Sequence, residues 1–147
     1  WLLDESQIIS IKPAGWISEN DRQKILYFVP ATFGCIQAGL DIIKAVAQVK
    51  NSSAIANAFQ TLEHKFDRLK ENFPQSKSSS KAEQLALRAK SIDLAVRCGH
   101  AAVAVSGGAA NSKMHPAGRV YREALVYTVS GQTQDVMAAT LDRILNS

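Results

Sequence analysis

The sequence predicts an all-α fold, an up-and-down bundle of four or five antiparallel helices joined by short loops. Apolar residues recur at three- and four-residue spacing over most of the 147 residues, the period of a helix with one buried face. The segments between these stretches are short and rich in Pro, Gly and Ser. Strand character is confined to one four-residue piece, Ile8-Ile9-Ser10-Ile11.

That piece is followed by the turn-forming Lys12-Pro13-Ala14-Gly15. One isolated strand cannot bury itself, so residues 1–18 read as a linker or the tail of a preceding domain, and 19–147 as the helical bundle. Ser18 with Asp21 has the pattern of an N-cap pair, opening a helix over 19–49 with Ile25, Phe28, Val29, Thr32, Phe33, Ile36, Leu40 and Ile43 on one face. Pro30 lies inside this stretch, which requires a kink or a helix start near residue 28. Asn51-Ser52-Ser53 separates it from a second helix over 53–73, whose stripe is Ile55, Phe59, Leu62, Phe66, Leu69 and Phe73. Pro74 to Ser80 is loop chemistry, with Ser80 placed as the next N-cap.

A third helix covers 81–105, with Leu85, Ala89, Ile92, Val96, Gly99 and Val103 on one side. Its far end, Ala101 to Val105, is small and apolar all round, as expected where several helices approach closely. Gly107-Gly108 ends it. After His115-Pro116 a fourth helix spans 117–129, and past the Ser130-Gly131 break a fifth spans 133–145.

Length and composition fit one globular domain with its own core. The net charge is +4, with Lys and Arg dispersed among acids and no basic stripe interleaved with aromatics, which argues against a nucleic-acid partner. No continuous apolar run of membrane-spanning length is evident, and the opening WLLDESQIIS lacks the pattern of a signal peptide. The expected setting is the cytoplasm, and the Trp1 start suggests a trimmed piece of a longer chain.

Cys35 and Cys98 both fall within apolar helical patterns and read as small buried hydrophobes. His64, His100 and His115 are too dispersed for metal spacing, and His100 is expected to be buried and hydrogen-bonded in a structural role. Arg119 and Arg122 share a helix face, suited either to a phosphate or to pairing with Glu123 and Asp142. No nucleophile with a histidine and no carboxylate pair stands out, so no residue is assigned as catalytic.

Several spaced elements match one family in order. They are Ser106-Gly107-Gly108-Ala109-Ala110, His115-Pro116, Arg119-Val120-Tyr121-Arg122-Glu123-Ala124 and Thr128-Val129-Ser130-Gly131-Gln132-Thr133, supported by Pro30-Ala31-Thr32-Phe33-Gly34-Cys35-Ile36-Gln37-Ala38-Gly39-Leu40-Asp41. Together they resemble the C-terminal four-helix bundle domain of the acyl-CoA dehydrogenase family. The resemblance implies an FAD-dependent oxidoreductase acting on the CH–CH bond of an acyl-CoA, with this bundle as one of three domains. It implies a homo-oligomer, dimer or tetramer, because each FAD is held partly by a neighbouring subunit's bundle. Ile8 to Ile11 would then end the middle β-domain. Cofactor contacts fall on Lys50, Gly107, Gly108 and Thr133. The glycines would allow close backbone approach or serve as a plain helix stop, and Thr133 would offer its hydroxyl at a helix start or act as an N-cap.

The match has departures. The Glu that usually serves as base is Gly131 here, and the alternative base position on the first bundle helix is Lys24; Asp21 or Glu19 reaches that position only if the helix shifts by a turn. The family's Arg-x-x-Phe-Gly aligns with Lys50-Asn51-Ser52-Ser53-Ala54, and a glutamine expected before the Gly-Gly turn is Ala104. A flavin monooxygenase of the same fold, using space opened by Gly131, or a non-catalytic oligomerisation domain are the alternatives these departures raise.

Overall fold

The computed structural model describes residues 4–146, and the side chain of Arg22 lies outside the description. The described residues are all-helical. Six α-helices follow in order: α1 (Trp16–Gln23), α2 (Val29–Lys50), α3 (Ser53–Ser76), α4 (Lys81–Ser106), α5 (Pro116–Val129) and α6 (Gln134–Leu145). Short 3-10 helices occupy Glu5–Gln7 and Gly107–Asn111. Ile8 to Ile11 forms no strand and is exposed, because no second strand is present among the described residues to complete its hydrogen bonds.

The single helix expected over 19–49 is two. α1 begins at Trp16, with Gly15 as its N-cap at φ 84°, so Ser18 lies inside the helix and caps nothing. α1 stops at Gln23, and α2 starts at Val29 with Pro30 in its first turn, where a missing N–H costs no helical bond. Proline thus acts as a start signal, one of the two outcomes its position allowed. None of the described side chains of α1 is buried.

Pro74, expected to end α3, instead sits in its last turn. Near a C-terminus a proline removes one internal bond, and the serines that follow replace what the end lacks. Ser76 Oγ donates to the Phe73 carbonyl at 2.6 Å, Ser78 Oγ to Gln75 and Ser79 Oγ to Ser76. Ser80 caps α4 as expected, accepting from the Glu83 N–H while the Glu83 carboxylate accepts from the Ser80 N–H.

α4 is the central element, packed against α2, α3, α5 and α6. Its buried residues, from Leu87 through Ala102, cover a broad face of the helix rather than one narrow stripe. Small residues set the crossings. A Cβ on Gly39 of α2 would lie 3.0 Å from Cys98 Cβ and 3.1 Å from its backbone, and one on Gly99 would lie 3.0 Å from Tyr121 Cα of α5. Ile36, Leu40 and Ile43 of α2 are buried, and Phe33 makes edge contacts with Phe66 and Phe73 of α3 at 5.4 Å. By length and composition α2 is apolar enough to cross a membrane, but here its Val29, Ile36, Leu40 and Ile43 are core residues.

Both cysteines are free and buried. Burial pushes Cys35 up to about 11 and Cys98 up to about 12. His100 departs from expectation: it is exposed, and its ring stacks on Tyr121 at 5.8 Å.

Candidate functional site

The four residues singled out for cofactor contact divide between the two ends of α4. At the C-terminal end, Lys50 closes α2 and its Nζ donates to the Val105 carbonyl at 2.8 Å, one of the carbonyls a helix end leaves unpaired. Two residues on, Gly107 turns the chain at φ 61° and ψ −146°, a conformation that suits glycine. Nothing lies within 4 Å of where a Cβ would stand on Gly107 or Gly108, and both are exposed. Lys50, Gly107 and Gly108 therefore share one open corner with room for a bulky group against bare backbone.

Thr133 is at the other end. Its Oγ1 accepts from the Val136 N–H at 3.3 Å, capping α6. On α4 itself, Arg88 beside the Gly131 turn and Ser106 beside Gly107 are separated by about 27 Å at 1.5 Å rise per residue. No single small group touches both corners within one chain.

The turn before Thr133 is held by Arg88, which sequence reasoning missed. Arg88 is 2% exposed. Its guanidinium donates to the Ile25 carbonyl at 2.9 Å, to Gly131 at 3.2 Å and, in a short contact, to Ser130. Phe28 lies under it, 5.7 Å from ring centre to guanidinium carbon. Burial lowers the Arg88 pKa and nearby Asp21 opposes that, but guanidinium remains charged in proteins. Its signal was legible: Arg88, Ile92, Ala95 and Gly99 repeat at four, three and four residues along one buried row.

Gly131 adopts φ 55°, and a Cβ there would meet Phe28 Cε2 at 2.7 Å. The space a carboxylate stem would occupy is already filled by the phenyl edge. Beside it is a cavity of about 180 Å³ lined by Asn20, Asp21, Lys24, Tyr27, Phe28, Arg88 and Gly131. Lys24 and Gly131, far apart in sequence, thus face one small chamber, and Asp21 is the carboxylate in its lining.

Elsewhere, Arg119 pairs with Glu123 at 3.1 Å, while Asp142 accepts from Asn146, so the expected partnership with Asp142 does not form. His115 caps α5, its Nδ1 accepting from the Ala117 N–H. No group of three His, Cys, Asp or Glu side chains is placed to hold a metal among the described residues. α5 and α6 leave apolar residues exposed: Leu125, Val126 and Val129 on one, Met137, Leu141, Ile144 and Leu145 on the other. Comparison with protein-family models, curated proteins and solved structures gives no match to this chain.

Proposed function

We propose that the chain is the C-terminal helical bundle of an acyl-CoA dehydrogenase-like flavoprotein, with α2 to α5 as the four-helix bundle and α6 laid against α4. The observation that carries this reading is the meeting of Lys24 and Gly131 in one chamber. These are the two positions at which the resemblance allows a catalytic base, and unrelated spacing gives no reason for them to face each other. Asp21 lines the same chamber and is the residue here able to take a substrate α-proton.

The cofactor corners fit an FAD shared between two copies. Lys50 with the bare Gly107-Gly108 backbone would hold one part of it, and Thr133, on a neighbouring copy, another. FAD bound there would supply the hydride acceptor. The exposed rows on α5 and α6 supply apolar surface for the contact between copies that such sharing demands.

The longer protein carrying this chain should purify yellow and bleach with an acyl-CoA. Asp21→Asn should retain the flavin and lose the bleaching. A colourless protein that takes up no added FAD overturns the reading, and undiminished bleaching by Asp21→Asn removes Asp21 as base.

A second reading is a non-catalytic oligomerisation domain, and the Phe28 edge seated over Gly131 favours it, because that ring closes the space a base or an oxygen adduct would use. Self-association without flavin affinity distinguishes it.

A further inference from the structure

A second concave site lies on a different face, where α3, α4 and α6 converge. This cleft, about 390 Å³, is lined by Lys65, Arg68, Lys90, Arg97 and Arg143, against the single carboxylate of Asp93. Its floor is apolar, formed by the buried Leu69 and Leu94. The helical period explains the gathering. Lys65, Arg68 and Asn72 recur at three and four residues on α3, and Lys90, Asp93 and Arg97 do the same on α4, so each helix turns one charged row to the shared groove. The acids of α3, Glu63, Asp67 and Glu71, step by four on the opposite side of that helix.

Asp93 does not neutralise the cleft; it organises it. Its side chain is 12% exposed, and its two oxygens accept from Arg97 Nε at 2.7 Å and Arg143 Nε at 3.1 Å. That fixes two guanidinium planes from two helices in one place. Lys65, Arg68 and Lys90 form no ion pair among the described residues. Five cations around one carboxylate repel each other, and concave walls concentrate their field, so the arrangement favours a bound anion. The volume falls in the range of small-molecule pockets, and fixed guanidiniums suit planar pairs of phosphate oxygens.

We infer that this cleft is a binding site for a multiply charged phosphate-bearing small molecule of the pyrophosphate class. The site goes beyond the flavin reading, since none of Lys50, Gly107, Gly108 or Thr133 lines it. Calorimetric titration of the chain with inorganic pyrophosphate at low ionic strength should show one saturable site that weakens steeply with added salt. Arg68→Gln with Lys90→Gln replaces two exposed side chains and should weaken binding by about tenfold for each charge-assisted hydrogen bond lost. Lys12→Gln with Lys113→Gln removes equal charge from exposed positions elsewhere and should leave the affinity close to unchanged. Absence of saturable binding overturns the inference, as does an equal loss in the second pair. A third outcome also overturns it: pyrophosphate fails to bind while Arg68→Gln with Lys90→Gln dissociates an oligomer, which assigns the cleft to an acidic protein surface.

Discussion

The two ends of α4 solve the problem of a turn in opposite ways. Near its start, the Ser130-Gly131 turn is fastened to the core by a buried guanidinium that also holds the Ile25 carbonyl, with Phe28 packed into the remaining space. At its finish, the Gly107-Gly108 turn is exposed, with open space beside both glycines; the Gly107 N–H donates to the Val103 and Ala104 carbonyls, and Lys50 holds the Val105 carbonyl. The fastened turn is the one at which a catalytic carboxylate would be sought. The open turn is the one proposed to meet a cofactor. A turn whose two carbonyls share one buried cation with the Ile25 carbonyl has little freedom to move, whereas a turn with free space on one side can adapt to what is placed against it.

Removing the fastener is the most severe way to break that contrast. Arg88→Ala leaves the carbonyls of Ile25, Ser130 and Gly131 without their donor and opens a cavity, for an expected loss of about 3–5 kcal/mol in denaturant unfolding. Arg88→Lys keeps the charge but cannot span three acceptors with one fork, so it should recover only part of the loss. Should Arg88→Ala cost no more than a surface substitution, the Gly131 end is not the rigid one.

Next in size is an attempt to put back the missing carboxylate. Gly131→Glu forces a side chain onto φ 55° and into the Phe28 ring, and should cost about 2–4 kcal/mol from backbone strain and overpacking combined. The steric share is separable. In a double-mutant cycle with Phe28→Ala the two changes should be less damaging together than their sum, by about 1 kcal/mol or more. Additive losses would mean that backbone conformation alone makes glycine necessary there.

These sites show how far the sequence could be read. The helical stretches were legible because apolar spacing and loop chemistry agreed, as at Ser80, the expected N-cap of α4. Proline gave both outcomes at the boundaries: Pro30 starts a helix, one of the two events its position allowed, whereas Pro74, expected to lie beyond α3, is absorbed in its last turn. His100 is expected to be buried and hydrogen-bonded, yet it is exposed and stacks on Tyr121. Of the site, Lys50 beside Val105 and the chamber shared by Lys24 and Gly131 depend on contacts across many residues, which periodicity does not encode. The basic cleft escaped for the same reason: each helix carries only part of it, and dispersed charges became a cluster on packing.

A gentler change tests the open end. Gly107→Ala meets no neighbour, so its cost should be the backbone term alone, about 1–2 kcal/mol, with no coupling to any nearby side chain. Both glycine substitutions stand at positive φ, yet only Gly131→Glu should depend on the residue packed against it. Thermal unfolding of Gly107→Ala alone and with Lys50→Met checks this: losses that exceed their sum would show the open turn to be more constrained than its empty surroundings imply.

The smallest expected effect lies at the very start of α4, where the cap is electrostatic. Hydrogen bonds from the Ser80 hydroxyl and backbone hold the Glu83 carboxyl below its ordinary value of 4.5. A carboxyl lowered on folding stabilises the folded chain fully above the ordinary value, and that contribution is lost as pH falls through the lowered one. Glu83→Gln should therefore narrow its difference from the parent protein as the solution is acidified below 4.5, while the difference stays constant above it. Glutamine can still accept from the Ser80 N–H, so the change isolates the charge from the capping geometry. The same acid titration should leave the cost of Gly107→Ala unmoved, since no carboxylate takes part in the turn at the far end of the helix.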